Sequence, residues 1–205
     1  MDKITKIEIQ KNNKDRVNIY VNDEYFMAIY SELIYKFNIK KNDIVNKESL
    51  QEILDKENYL KAKNKALNIL TKCDQSKKHV KDKLSKDFDE HIIEQVIDFL
   101  EKNKLINDDL LAQKIINTNI NFNKYGKNKI KQNLYKKGIE NLSNLEIDED
   151  KELENAVFLA NKKYDKVKNL DKNKIKQKLY QHLTYRGFDF EITKQAINSV
   201  LSDNF

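Results

Sequence analysis

Two stretches of this sequence place several lysines at helical spacing, a pattern typical of anion binding. The first, KNKIKQNLY at 127–135, returns as KNKIKQKLY at 172–180 with one residue changed. Ammonium groups along a helix can contact the phosphates of a nucleic acid or the carboxylates of an acidic protein surface. We therefore predict partner or DNA binding by the basic faces, through Lys124, Lys127, Lys129, Lys131, Lys136, Lys137, Lys172, Lys174, Lys176, Lys178 and Arg186.

The charge of the chain is distributed unevenly around these stretches. The formal net charge is +6, residues 114–139 contain no acidic side chain, and the intervening segment 146–154 is acidic. This distribution predicts a basic stripe that matches a phosphate backbone or an acidic groove. The alternative is a solvated face of lysines in a chain that is rich in Lys, Asn and Ile throughout.

Arginine and tyrosine accompany the lysines. Arg186 is the only arginine besides Arg16, so it either uses its planar fork or serves as a cation at a helix C-terminus. Tyrosines interleave with the lysines and could stack on bases, although packing between helices is the commoner role. We expect Tyr180 and Phe188 to lie in the core. The interleaved residues are Tyr125, Tyr135, Tyr164, Tyr180 and Tyr185.

Residue types that carry out catalysis form no recognisable motif. His79, His91 and His182 are scattered, and the three glycines are not clustered into a phosphate loop. No Gly-x-Ser-x-Gly nucleophile turn occurs. The acids Glu146, Asp148 and Glu149 could bind a divalent metal, but they fit better as first-turn acids of a helix. We expect no enzymatic activity, no metal and no cofactor.

Cysteine and hydropathy indicate the compartment. A single cysteine, Cys73, allows no disulfide within the chain, which fits a reducing cytosol. No run approaches the roughly 20 apolar residues that span a bilayer. We expect a cytoplasmic protein with no membrane partner.

The elements that position the lysines are helices behind a short β region. Residues 17–21 and 24–30 flank Asn22-Asp23 with β-branched and aromatic side chains, which predicts a hairpin within a three-stranded N-terminal piece. Ser31 is expected to cap a short helix through Phe37. From about residue 47 the apolar spacing is helical. Further helices are predicted to begin at Ser76, Asp89, Asn107 or Asp108, residue 147, and Asp189.

The duplicated basic helix is part of a larger repeat. Its identical residues align at a shift of 45, whereas Gly138 and Gly187, each following a basic last turn, align at a shift of 49. We prefer the glycine register, because glycine after such a turn is a physical helix terminator. A weaker copy at 77–93 has Asp87 in place of the glycine, a residue that can adopt the left-handed conformation.

The repeat predicts a mainly α fold. Three tandem three-helix repeats would stack into a solenoid, preceded by the β-hairpin or three-stranded region. We predict an N-terminal β-rich extension at 1–46 and repeats at 47–104, 105–147 and 148–205.

The order of these motifs resembles the RecX family of recombination regulators. The resemblance rests on INDDLLA, GKNKIKQNLYKKGI, LANKKY and KQKLYQHLTYRGFDFEI, while IEIQKNNKDRVNIYVNDEYFMAI resembles the β extension of Firmicute members. Asp87 and a third helix at 139–147 that looks about one turn too short depart from the family. The resemblance implies a non-enzymatic modulator of DNA repair, recombination and the SOS response. It would bind the RecA filament on single-stranded DNA and restrain its ATPase, strand-exchange and coprotease activities. The sequence leaves the oligomeric state open, and a monomer fits a protein that binds in a groove.

Two further hypotheses remain beside this one. The chain could bind DNA directly, without a recombinase partner, or it could be a nucleic-acid-processing enzyme of unfamiliar fold. Steep salt dependence on naked DNA would favour direct binding. Tight binding only in the presence of recombinase would favour regulation. Replacing Lys127 and Lys131 by Glu is predicted to weaken filament binding without unfolding the chain.

Overall fold

The structure, a computed structural model, describes residues 2–140 and 147–202, with the side chains of 47–50 left aside. It consists of two compact units. The first comprises Met1–Cys73 and Val80–Leu105, and the second comprises Asp74–His79 and Ile106–Phe205. The predicted segment at 139–147 lies largely outside the described residues.

An antiparallel sheet opens the first unit. Its strands are β1 (Ile4–Ile9), β2 (Arg16–Val21) and β3 (Glu24–Tyr30), in the order β1-β2-β3. Asn22 and Asp23 connect β2 to β3 with φ of 50° and 68°, as expected of a two-residue hairpin turn with an Asn-Asp pair. Alternate side chains of β2 are buried, so the predicted three-stranded region is confirmed.

Helices complete the first unit. They are α1 (Ser31–Lys36), α2 (Lys47–Leu70) and α4 (Glu90–Lys102), while α3 (Lys77–Leu84) crosses from the second unit into the first. The predicted Ser31 cap is wrong, because β3 passes directly into α1 and Tyr30 occupies the N-cap position. Asp89 occupies the N-cap position of α4, as predicted, but its side chain accepts no capping hydrogen bond.

The second unit contains α5 (Asp108–Thr118), a π-helix (Asn119–Asn123), α6 (Lys127–Lys136), α7 (Glu149–Tyr164), α8 (Lys172–Tyr185) and α9 (Phe190–Ser202). Asn107 caps α5 by accepting a hydrogen bond from the Leu110 N–H, and Asp189 accepts one from the Ile192 N–H. The sequence did not predict the π-helix, which ends at Lys124 in the left-handed conformation.

The turns after the basic helices support the glycine register. The Ile139 N–H donates to Leu134 O and the Phe188 N–H to Leu183 O, with Gly138 at φ 75° and Gly187 at φ 89°. These are the same closing bonds at a shift of 49. The expected left-handed Asp87 is wrong. Its turn is one residue shorter, so the Phe88 N–H reaches Leu84 O without a positive φ.

Candidate partner-binding surface

The N-terminus of α6 meets the C-terminus of α8. The Gly126 N–H donates to Arg186 O at 3.0 Å, and the Asn128 N–H donates to Gly187 O at 3.0 Å. The first N–H groups and the last carbonyls of a helix have no partners within that helix. Here the unpaired donors at the start of one basic helix are satisfied by two carbonyls of the turn that ends the other, which fixes the duplicated helices against each other.

A carboxylate from α7 completes this contact. The Lys127 N–H donates to Glu152 Oε1 at 2.7 Å, and Glu152 is only 4% exposed. Burial raises the pKa of Glu152, and the hydrogen bond from Lys127 partly offsets that rise. Glu152 therefore caps α6 from a neighbouring helix. The sequence marked acids in the first turn of α7 but carried no signal of which of them would reach α6.

Two glycines allow the helix ends to approach this closely. A Cβ on Gly126 would lie 2.4 Å from the backbone nitrogen of Phe188, and one on Gly187 would lie 2.4 Å from both Cβ and N of Lys129. No side chain fits at either position. We call the arrangement of Gly126, Lys127, Glu152, Arg186 and Gly187 the α6–α8 joint.

The second unit contains this arrangement a second time. Ser76 precedes α3 and accepts from the His79 N–H, and the Lys77 N–H donates to Asp108 Oδ1 at 2.9 Å. A Cβ on Gly138 would lie 2.8 Å from Ser76 Oγ. In each case a glycine that ends one middle helix lies against the start of the preceding middle helix, while an acid from the intervening helix caps that start.

The same geometry accounts for Asp87 in the weaker copy. Its turn follows α3, the first helix of this kind, so no earlier copy exists for the turn to approach. Asp87 is exposed and pairs with Lys65. A side chain is tolerated at this position because the turn does not pack against the start of an earlier helix of the same kind.

Both arginines of the chain stack on a tyrosine ring and donate a hydrogen bond to a backbone carbonyl. The Arg186 guanidinium lies 4.5 Å from the ring centroid of Tyr125, and Nη2 donates to Asn123 O. Arg16 lies 4.9 Å from the ring centroid of Tyr30 and donates from Nη2 to Ala28 O at 2.8 Å. A planar guanidinium can stack and donate at once, which an ammonium cannot. Arg186 thus stacks on Tyr125 and donates one hydrogen bond to a neighbouring backbone carbonyl beside the α6–α8 joint.

The predicted lysines occupy different environments. Lys124 donates to Asn155 Oδ1 at 3.1 Å and lies over the Phe158 ring, and Lys129 lies over the Tyr185 ring. Lys174 pairs with Asp171 at 3.3 Å. Lys124, Lys127, Lys129 and Arg186 gather at or beside the joint. The others follow the two helices, with Lys131 half-buried and the following exposed: Lys136, Lys137, Lys172, Lys176 and Lys178.

The tyrosines divide between core and surface. Tyr164 and Phe188 are buried, as helix packing predicts. The expected burial of Tyr180 is wrong, because its ring lies at the edge of the α8–α9 contact and is 44% exposed. Tyr185 is 76% exposed beneath Lys129. The part of the chain that the structure describes holds no group of three or more His, Cys, Asp and Glu side chains arranged for a metal ion.

Comparison with protein families identifies the chain. Models of the RecX N-terminal domain and of the first, second and third RecX three-helix domains match residues 2–46, 62–100, 107–141 and 149–197. A regulatory protein RecX from Clostridioides difficile (strain 630) is 59% identical, covering 97% of this chain and 96% of the relative. The chain belongs to the RecX family. A RecX from Clostridium tetani is 41% identical over 98% of this chain and 95% of its own.

Solved RecX structures share the fold. A crystal structure of regulatory protein RecX covers 97% of this chain and all of its own, with a TM-score of 0.73 and 27% identity. RecX from Lactobacillus salivarius gives a TM-score of 0.64 and 30% identity, covering 71% of this chain and 97% of its own. The predicted fold class, mainly α with three three-helix domains after a three-stranded sheet, is confirmed. The relatives are named as regulatory proteins. Across 2–140 and 147–202, no helix has the length and apolar character needed to cross a bilayer.

A histidine in the third RecX three-helix domain makes stability depend on pH. Burial and then the charges of Lys163, Arg186 and Lys166 lower the pKa of His182. The unfolded chain therefore binds a proton more readily than the native chain, and stability decreases as the pH falls through about 6.5. We expect the urea midpoint to rise between pH 5.5 and 7.5, and His182→Gln to flatten that rise.

The exposed His91 provides the matched control for this measurement. His91→Gln removes an imidazole outside the cluster of positive charges, so it should retain the steeper pH dependence of the parent chain. A His182→Gln slope equal to that of the parent would show that His182 does not contribute.

Proposed function

We propose that this chain binds the RecA recombinase filament on single-stranded DNA and restrains its ATP hydrolysis, strand exchange and coprotease activity. The chain acts by binding, without catalysis, and works in the cytoplasm. Membership of a family of regulatory proteins supports this role. The observation that carries the proposal is the α6–α8 joint, which holds two basic helices in a fixed mutual arrangement.

A fixed arrangement of basic helices suits a partner with a repeated surface. Cations on helices that are already positioned lose less conformational entropy on binding than cations on flexible segments. A filament of identical subunits on single-stranded DNA presents a repeated protein surface together with a phosphate backbone. Tandem basic helices can therefore contact consecutive positions of one partner, which is the geometry that tandem domains require for multivalent binding.

The direct test is DNA-dependent ATP hydrolysis by a cognate RecA, titrated with this protein. We expect the rate to fall at substoichiometric to equimolar ratios of the protein to RecA. An unchanged rate, with RecA and DNA both shown to be active, would contradict the proposal.

Loss of two lysines on α6 should weaken this inhibition. Lys127 and Lys131 are four residues apart on one helix, so Lys127→Gln with Lys131→Gln removes two neighbouring positive charges. We expect the concentration for half-maximal inhibition to rise about tenfold or more, because charged contacts with the filament are lost. Glutamine is preferable to glutamate here, since a carboxylate at 127 would adjoin the buried Glu152.

The exposed pair Lys40 and Lys41 in the first unit provides the control, because Lys40→Gln with Lys41→Gln removes the same charge elsewhere. The control should inhibit like the parent chain, and both variants should keep the parent circular dichroism spectrum. An equal loss of inhibition in both variants would mean that binding depends on net charge alone.

Direct binding to DNA is the second candidate, and a separate observation favours it. Phe158 and Tyr185 are exposed rings that each lie beneath a lysine, which is the pairing that single-strand binding surfaces use to stack bases and neutralise phosphates. Binding to naked single-stranded DNA over a range of salt concentrations separates the candidates. Tight, steeply salt-dependent binding without RecA would favour this second function.

A further inference from the structure

A cleft of about 400 Å³ lies between α5 and α6 in the second unit. Leu111 and Ile115 of α5 form an apolar wall, and Thr118 and Asn133 supply polar groups. Lys114, Lys136 and Lys137 line it as well. Concave sites with an apolar wall and a few converging polar groups are where small ligands bind.

The base of the cleft is fixed by a buried amide. Asn119, at the start of the π-helix, donates from Nδ2 to Ile115 O at 2.7 Å, and its Oδ1 accepts from Asn133 Nδ2 at 3.0 Å. Asn133 Oδ1 accepts no hydrogen bond from the described residues, so it is available to a donor on a ligand. A π-turn within a helix is uncommon and often marks a functional position.

The charges of the cleft are unbalanced. Lys114 pairs with Asp74 at 2.6 Å, which leaves two further lysines and no further acid in the lining. Lys136 and Lys137 form no ion pair within 2–140 and 147–202. Their position at the end of α6 also suits the helix dipole, but that effect does not require two adjacent cations at an apolar cleft.

We propose that this cleft binds a nucleoside phosphate. The phosphate groups would contact Lys136 and Lys137, the flat base would lie on Leu111 and Ile115, and an N–H group of the base, such as the exocyclic amino group of adenine, would donate to Asn133 Oδ1. This ligand matches the three features of the site together: paired cations, an apolar wall and an unoccupied acceptor. The inference requires neither a recombinase nor a nucleic acid, so it stands apart from the proposed function.

Calorimetric titration of the full chain with ADP tests the proposal, with pyrophosphate as the probe that lacks the nucleoside. We expect one site with a dissociation constant in the millimolar range or below, and weaker binding of pyrophosphate. The Asn133 side-chain amide resonance should shift with ADP. Lys136→Gln with Lys137→Gln should weaken ADP binding about tenfold or more, while Lys40→Gln with Lys41→Gln should leave it unchanged.

Three results would overturn the proposal. The first is absence of ADP binding up to about 10 mM. If an oligonucleotide bound under the same conditions, the cleft would bind nucleic acid and not a free nucleotide. The second is pyrophosphate binding as tight as that of ADP, which would show that the base contributes nothing to binding. The third is equal weakening in the two double variants, which would reduce the effect to net charge.

Discussion

Replacement of Glu57 by glutamine is expected to lower the free energy of unfolding by about 3 kcal/mol or more. Glu57 lies on α2 and is 1% exposed in the core of the first unit. Its Oε2 accepts from the Tyr30 N–H at 2.7 Å, and its Oε1 lies 2.8 Å from Arg16 Nη2 and 3.2 Å from Lys61 Nζ. Glutamine keeps the shape but leaves the Arg16 guanidinium without its counter-charge.

The size of this effect follows from burial. The Arg16 side chain is 16% exposed, so water screens the pair only weakly. Removing one partner of a buried ion pair costs far more than removing an exposed pair, because the remaining charge keeps its desolvation penalty. The pair also joins β2, which carries Arg16, to α2, which carries Glu57. Tyr30 of β3 stacks on the Arg16 guanidinium. The variant should therefore loosen the contact between the sheet and α2.

Urea denaturation of Glu57→Gln, Arg16→Met and the double variant measures this coupling. The double variant should recover part of the loss, since neither charge then remains buried alone. Glu8→Gln, which removes the carboxylate from an exposed pair with Lys6, is the control and should leave the midpoint unchanged. If Glu57→Gln behaved like this control, the buried pair would contribute nothing to stability.

Features determined by neighbouring residues could be predicted from the sequence. The hairpin at Asn22-Asp23 and the glycine terminators at 138 and 187 depend on backbone preferences that those residues carry with them. The strands, the helix order and most cap positions followed from the same kind of local signal. The two basic helices were predictable as well, whereas their alignment into a stripe and its role in binding stay predictions.

Features that depend on tertiary contact could not be predicted in this way. Glu152 caps a helix that begins 25 residues earlier, and nothing in its own turn indicates that reach. Tyr180 is exposed because its ring lies at the edge of the α8–α9 contact, which apolar spacing alone does not reveal. The turn at Asp87 is a different case, because it depends on local length and not on tertiary contact. It is one residue shorter than its counterparts and closes without the left-handed conformation. Aligning residue types between the repeats does not show which backbone conformation the shorter turn adopts.

Replacement of Gly187 by alanine should be the most damaging single change to the α6–α8 joint. Two separate costs combine at this position. The φ of 89° disfavours any residue with a Cβ by about 1–2 kcal/mol. The new Cβ would also lie 2.4 Å from the backbone nitrogen and Cβ of Lys129, and such overpacking costs about 1–3 kcal/mol. We expect a total loss of about 3 kcal/mol in the free energy of unfolding.

The joint should open before the helices unfold. Relief of the contact requires α6 to move away from α8, which breaks the bonds from Gly126 and Asn128 to the end of α8. The Lys127 N–H and Glu152 would separate with them, leaving a buried carboxylate without its donor. Fast amide exchange confined to Gly126, Lys127 and Asn128 would report this opening, as would weaker inhibition of RecA by folded Gly187→Ala protein.

Gly138→Ala isolates the steric part of the effect. Gly138 has φ of 75°, so alanine meets a similar backbone penalty there. The atoms nearest to its new Cβ would be side-chain atoms, Ser76 Oγ at 2.8 Å and Lys78 Cβ at 3.1 Å, whereas the Cβ at 187 would lie 2.4 Å from the backbone nitrogen of Lys129. Gly138→Ala should therefore lower the urea midpoint by clearly less than Gly187→Ala. Equal losses would mean that backbone conformation alone, and not the close approach of the two basic helices, requires glycine at the joint.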